Sequence, residues 1–386
     1  MKILMLAPEP FFQPRGTPLS EYFRIRALSD LGHKVDLVTY HLGEDVEIEN
    51  LKIVRIPNLF SIKKIKIGPS LAKIPLDFLL FLTAFFQLLK RKYDLIFSHE
   101  EAAFLGVFLA KIWKLHHVYD MHSSLPQQLE NFNFTRSSVI KRTFLWIEKL
   151  ILKRSQAIIV VCLDLLNKVT REGFGSKATR IENFIDFKGE DYSEEQLQKK
   201  RAMFATEGEK IVLYTGNFEP YQGMPLLLEA VAKIDEKVVF LLVGGENSEI
   251  EVMKKRAEAL GIADKVVFTG KVPPEKVPSF IFLADVLVSS RLAGTNTPLK
   301  IYSYMKSGKP LVATNLWTHS QVLSDKISVL VEPNPQSLAE GIMFALSSEE
   351  AKRRAERCKE LAEREYTYPS YLGKISHVLR MACKSS

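Results

Sequence analysis

With 386 residues, 46% of them hydrophobic and 25% charged, the chain has the make-up of a folded protein of about two domains, which excludes a disordered or fibrous chain. A formal net charge of +8 admits a nucleic acid, an anionic membrane or an anionic substrate as partner. The three cysteines, Cys162, Cys358 and Cys383, lie far apart with no C-x-x-C pair, so reduced thiols of a cytosolic protein are expected and no metal site is.

Met1 to Ala7 predicts a buried strand rather than a signal peptide, because Lys2 alone precedes about five apolar residues before Pro8. Further strand-like runs follow at Lys34–Thr39, Lys52–Ile56, Leu95–Ser98, His117–Met121, Ala157–Val161 and Arg180–Glu182, each separated from the next by a helical stretch or loop. Such alternation predicts an α/β unit, a parallel sheet covered by helices.

Between Leu51 and Leu95 nine Lys or Arg stand against only Asp77 and Asp94. Within this stretch, Ile74–Leu89 is strongly apolar, but Pro75 and Asp77 interrupt it and it falls short of the about 20 residues that a bilayer crossing needs. Phe78–Leu89 is expected as a helix buried against the first sheet. The neighbouring Lys63, Lys64 and Lys66 read either as a solvated basic loop or as a contact with an anionic membrane.

The charged, apolar-poor segment from Phe187 to Lys210 reads as a linker. The pattern then restarts with Ile211–Thr215, Val238–Val243, Val266–Thr269, Val286–Ser289, Pro310–Ala313 and Val329–Val331. The division expected is a first domain at 1–187, a linker at 188–209, a second domain at 210–366 and a last helix at 367–386, with Pro369 separating it from the helix before it.

Ligands of open α/β sheets bind beyond the carboxyl ends of the strands. After the first strand, Arg15 and Gly16 precede a helical stretch, and Gly16 would let an anion approach free N–H groups or simply make a turn. In the second domain, Gly216, Asn217, Gln222 and Gly223 bracket a loop that opens the helix Met224–Ile234, a frame suited to a diphosphate. Gly244 ends the next strand without a side chain. Thr295, Asn296, Thr297, Pro298 and Leu299 lead into a helix that carries Lys300 in its first turns and Ser303 beyond, so an anion at its N-terminus is expected. Thr297 as cap, Pro298 at the first helical position and Gly308 as the C-terminal cap give a structural reading of the same residues.

No G-x-x-x-x-G-K-[ST] loop, no G-x-G-x-x-G fingerprint and no D-x-D pair occurs. P-loop ATPases and ordinary nicotinamide enzymes are disfavoured, and charge on a leaving diphosphate would be met by Lys, Arg and helix ends. Basic and aromatic residues do not interleave into a nucleic-acid module, so no nucleic acid is expected.

Together these residues resemble the GT-B, family-4 type of retaining glycosyltransferase (glycosyltransferase group 1) over essentially the whole chain. The resemblance implies two Rossmann-like domains facing across a cleft, with the nucleotide held mainly by the second. In that family an Arg and a Lys grip the donor diphosphate where this sequence has Asn217 and Gln222, and an E-x7-E pair stands where it has Thr295 and Ser303. Lys300 is then the replacement cation. Lys271 and Val272 occupy a strand exit similar to the family's base-binding one, and His122 a strand end where a family histidine approaches the donor sugar.

The activity implied is transfer of a sugar, with retention, from a nucleoside diphosphate sugar (UDP- or GDP-linked) to a glycan or lipid-linked hydroxyl. No cofactor or metal is required, and the setting is the cytoplasm or the inner face of a membrane. His122, Arg15, Gly16 and Lys300 would stabilise charge. Two rival readings remain, a catalytically silent binding protein, motivated by the absent Glu and Arg/Lys pairs, and a sugar-nucleotide epimerase.

Overall fold

The computed structural model describes residues 1–13, 16–59, 62, 63, 65, 70, 73–127, 137–182 and 193–384. The chain divides into two compact units, Met1–Phe184 with Tyr368–Ser386, and Ile185–Thr367.

The first unit holds β1 (Lys2–Ala7), β2 (Lys34–Thr39), β3 (Leu51–Arg55), β4 (Leu95–His99), β5 (His116–Met121), β6 (Ala157–Val160) and β7 (Ala178–Arg180). They pair in the order β3-β2-β1-β4-β5-β6-β7, and every pair is parallel. Ile3 to Ala7 and Leu95 to Phe97 are fully buried, as a sheet covered on both faces demands. The last strand lies two residues earlier than Arg180–Glu182, because pairing with β6 starts at Ala178 opposite Ile158.

One layer of helices, Lys73–Lys90, Ala102–Trp113 and Ser138–Arg154, covers part of this sheet, with the middle helix packed against both others. The last helix, Tyr368–Lys384, packs on β5, β6 and the helix Gly16–Asp30 of the same unit. One expectation fails here: Phe78–Leu89 is helical but not buried throughout. Leu79, Leu80, Ala84 and Leu88 enter the core, while Phe78, Phe86 and Leu89 are exposed, since a helix on one face of a sheet buries one stripe only.

The second unit repeats the plan with β8 (Lys210–Thr215), β9 (Val238–Val243), β10 (Val266–Gly270), β11 (Val286–Ser289), β12 (Leu311–Thr314) and β13 (Val329–Val331), ordered β10-β9-β8-β11-β12-β13 and all parallel. Counted within each unit, both sheets therefore share the Rossmann-like order 3-2-1-4-5-6, to which the first adds a seventh strand beyond β6, and their order reverses between β1 and β4 and between β8 and β11. The loops at the carboxyl ends of those four strands are where ligands bind in such sheets.

Candidate functional site

In the second unit the switch point is built by glycines that let loops touch. Gly216 follows β8 with φ +138°, and its N–H donates to the Val243 carbonyl at 2.9 Å. Gly244 follows β9 with φ +119°, and a Cβ there would lie 2.0 Å from the Gly216 carbonyl oxygen. Gly244 has no room for a side chain, and one on Gly216 would be strained by its positive φ. Gly223 caps the helix Met224–Val231 at φ +72°, with Ser290 Oγ donating to the Gln222 carbonyl at 3.0 Å.

Lys300 sits in the first turn of the helix Leu299–Lys306. Its ammonium nitrogen is buried, has no hydrogen-bond partner among the described residues, and lies 3.5 Å from the centroid of the Tyr214 ring. A Cβ on Gly216 would come within 3.1 Å of it. Burial, then the nearby Arg291 charge, pushes this ammonium well below its ordinary pKa. A buried cation without an anion is costly unless a ligand supplies the anion. Tyr304 fixes the helix to β8, its hydroxyl accepting the Thr215 N–H at 2.8 Å.

Pro298 does not take the first helical position. The helix begins at Leu299 and Pro298 precedes it with extended backbone (φ −61°, ψ +136°), its carbonyl accepting the Ile301 N–H at 3.0 Å. Thr297 does not cap the helix; its hydroxyl is buried and no described residue bonds it. The Thr295 carbonyl accepts from the Gln321 amide at 2.5 Å and the Asn296 carbonyl from Thr318 at 2.6 Å, so the approach to the helix is tied to the segment after β12. Ser303 is half-buried on the same helix.

Asn217 is exposed, and its carbonyl accepts from the Tyr214 hydroxyl at 2.8 Å. Gln222 is turned inward and buried. Lys271 is exposed and ion-paired to Glu246, and Val272 packs against the core at the exit of β10. Loop and helix ends of β8, β9 and β11 are thus drawn together around Lys300, and the β10 exit joins them through the Gly244–Gly270 bridge.

Two residues of this region were not anticipated. Arg291, two residues beyond β11, stacks its guanidinium 5.1 Å from the Tyr221 ring while its Nε donates to the Ala293 carbonyl at 2.6 Å. His319 bonds Ser289 at 2.9 Å and the Thr314 carbonyl at 2.8 Å, joining the ends of β11 and β12, and burial pushes it down to about 4. Its role is structural. Only an S-R step after an apolar strand run pointed to Arg291, and nothing in the sequence pattern pointed to His319.

The first unit gathers a different set at the ends of β1, β4 and β5. Arg24, fully buried, donates to both oxygens of buried Asp120 at 2.8 and 3.3 Å, and stacks 5.4 Å from Tyr371 of the last helix. His122 Nε2 stands 3.4 Å from the same carboxylate and His99 Nδ1 3.6 Å from it. Burial opposes the charge on Asp120, yet Arg24 and then His122 hold it well below the usual carboxylate range. Burial likewise opposes the charge on His122, and Asp120, then Glu100, raise it above the ordinary value. Glu100 itself is pushed up to about 8 by burial, and Glu9 to about 7, while Glu21 beside Glu9 lies well above the normal range.

His99, Asp120 and His122 place ligand atoms within 4.8 Å of one another, a three-ligand set among the described residues. The bidentate Arg24 guanidinium already faces both Asp120 oxygens, which opposes a dication there. Gly16 starts its helix at φ +50° with open space where a Cβ would be, and Arg15 lies outside the described residues.

Two switch points, one with a buried cation and one with a buried His–Asp–Arg group, fit what family comparison finds. The family model described as Glycosyl transferases group 1 matches residues 195–365, and that of Glycosyltransferase Family 4 matches residues 24–188. The chain belongs to the group 1 glycosyltransferases.

Mannosylfructose-phosphate synthase of Agrobacterium fabrum is 28% identical over 318 residues, 75% of this chain and 68% of that protein. Alpha-monoglucosyldiacylglycerol synthase of Streptococcus pneumoniae is 24% identical over 361 residues, 90% of this chain and 78% of that protein. Among solved structures, Anabaena Alr3699/HepE in complex with UDP superposes with a TM-score of 0.77 at 19% identity, covering 98% of this chain and 100% of that one. The GT-B class expected from the sequence therefore stands, as two Rossmann-like parallel-sheet domains in one glycosyltransferase chain.

Proposed function

We propose that the chain transfers a sugar from a nucleoside diphosphate sugar, UDP- or GDP-linked, to a hydroxyl of a glycan or lipid-linked acceptor, with retention of anomeric configuration and with no cofactor. The observation that carries this reading is the buried Lys300 ammonium, without a partner among the described residues, at the N-terminus of a helix beside Gly216. A diphosphate there would favour the charged ammonium that burial disfavours, and it would also meet the N–H groups of Leu299 and Lys300 at the helix start.

Gly216, Asn217, Gln222, Gly223 and Gly244 would line the diphosphate loop, and Thr295 to Leu299 the approach to the helix. Lys271 and Val272 would meet the base through main-chain groups, and Ser303 would lie near the ribose. Retention by front-face attack, with the leaving phosphate taking the acceptor proton, needs no dedicated protein base. Arg15, Gly16 and His122 would then stabilise charge on the sugar and phosphate, and His122 suits this because Asp120 favours its cationic form.

The relatives include an alpha-monoglucosyldiacylglycerol synthase, which supports a lipid-linked acceptor. With such an acceptor the chain would work at the inner face of a membrane, as a peripheral protein. Of the basic group Lys63, Lys64 and Lys66, Lys63 is exposed and the other two lie outside the described residues.

A thermal-shift panel of UDP-, GDP- and ADP-sugars tests the donor. A UDP- or GDP-sugar should stabilise the protein, and the shift should shrink in Lys300→Ala. No shift with any of the three would overturn the reading. Turnover of a donor to an isomeric nucleotide sugar without an acceptor would favour an epimerase instead.

A further inference from the structure

On three adjacent helices of the first unit, large apolar side chains stand in water together with cations and no exposed acid. On the helix Lys73–Lys90 the exposed stripe is Ile74, Phe78, Phe86 and Leu89; Phe78 is 60% exposed. On Ala102–Trp113 it is Phe104, Phe108 and Ile112, and the Phe108 ring lies 6.0 Å from half-buried Phe81 of the first helix, so the two helices meet beside their exposed sides. On Ser138–Arg154, Val139, Arg142, Trp146, Lys149 and Lys153 fall on one face by their three- and four-residue spacing, with Trp146 62% exposed. Soluble surfaces seldom expose so many large apolar side chains on neighbouring helices without a partner.

The charge on these helices is one-sided. Lys90, Lys111, Arg142, Lys149, Lys153 and Arg154 are exposed, whereas the two acids are turned in, Asp77 bonding Tyr40 at 2.5 Å and Glu148 bonding the Leu125 N–H at 2.8 Å. No described helix is long and apolar enough to cross a membrane.

We propose that this three-helix face is a docking surface for an anionic lipid bilayer, with Phe78, Phe108 and Trp146 entering the headgroup region and the lysines and arginines meeting lipid phosphates. A second copy of the chain is the other occupant an apolar face admits. A two-fold contact would set the same six cations against each other, which opposes it. An exposed tryptophan amid cations suits the lipid interface, where its amphipathic ring is favoured. The inference deepens the membrane part of the proposed function by naming the surface, and moves it away from Lys63; it does not depend on the donor site.

The test is co-sedimentation of the full chain with vesicles of phosphatidylcholine alone and with phosphatidylglycerol added. Binding should require the anionic lipid and fall with salt. It should drop about tenfold or more in Lys149→Glu with Lys153→Glu, and comparably in Phe108→Ser with Trp146→Ser. The same variants should keep the thermal shift given by the donor nucleotide, which separates loss of docking from loss of fold or of donor binding. Equal binding to neutral vesicles, or undiminished binding of both double variants, would overturn the proposal. So would a dimer in sedimentation equilibrium that Phe108→Ser with Trp146→Ser dissolves.

Discussion

Replacing Lys300 by methionine should stabilise the empty protein and weaken its hold on a nucleoside diphosphate at the same time. Methionine keeps the length and apolar stem but removes an ammonium that is buried 3.5 Å over Tyr214 with no hydrogen-bond partner among the described residues. Burial and Arg291 push that group well below its ordinary pKa, so the site disfavours the cation while empty. Relief of that penalty, less the lost ring contact, should raise stability by about 1 kcal/mol, seen as about 2–4 °C in Tm for a unit the size of Ile185–Thr367. Charge-assisted hydrogen bonds contribute about 1.5–3 kcal/mol, so affinity for UDP or GDP should fall about 10- to 150-fold.

The proton provides a second readout of the same substitution. A diphosphate raises the lowered Lys300 pKa back toward about 10.4, so binding takes up a proton in the window between the free and bound values. Affinity of the wild-type protein should therefore decline as pH rises through that window, and calorimetric heats should depend on the buffer's ionisation enthalpy; Lys300→Met should show neither. A methionine variant that loses stability while binding nucleotide unchanged, with the same pH slope, would refute the reasoning.

Substitutions at other positions have expected outcomes too. Asp120→Asn removes the charge that holds His122 above its ordinary value, so histidine NMR should show the His122 pKa falling below 6.5; in the wild type its stabilising contribution is complete below the unfolded pKa and disappears as pH rises through the folded one. The same variant leaves Arg24 buried and unpaired and should lose about 3–5 kcal/mol in urea melts. Gly244→Ala places a Cβ 2.0 Å from a backbone oxygen and should cost about 3 kcal/mol, whereas Gly32→Ala, at φ +78° with open space around it, should cost about 1 kcal/mol. Tyr304→Phe leaves the Thr215 N–H without its acceptor and should cost about 1–3 kcal/mol by chemical denaturation.

Much of the architecture was legible because buried parallel strands are short, apolar and separated by helical stretches. Thus Lys34–Thr39, Val238–Val243, Val286–Ser289 and Val329–Val331 coincide with β2, β9, β11 and β13 residue for residue. Glycines at strand exits were legible for a related reason, since a close backbone approach or positive φ at Gly216, Gly223 and Gly244 admits little else. What escaped depends on pairings across the chain. Arg24 and Asp120 are 96 positions apart, and no local pattern says that a helix residue will meet a strand-end carboxylate. Arg291 and His319 escaped likewise, their partners being set by strand order. The exposed side of Lys73–Lys90 escaped because a helix apolar nearly all round carries no contrast to mark which stripe enters the core.

The central proposal is sugar transfer driven from the second unit's switch point. The most direct measurement is release of nucleoside diphosphate from UDP- and GDP-sugars by wild type and Lys300→Ala, with the anomeric configuration of any glycoside read by NMR. Release from at least one donor, a product that keeps the donor's configuration, and loss of turnover in Lys300→Ala are the predicted result. Turnover that survives Lys300→Ala unchanged, or an inverted product, would contradict it.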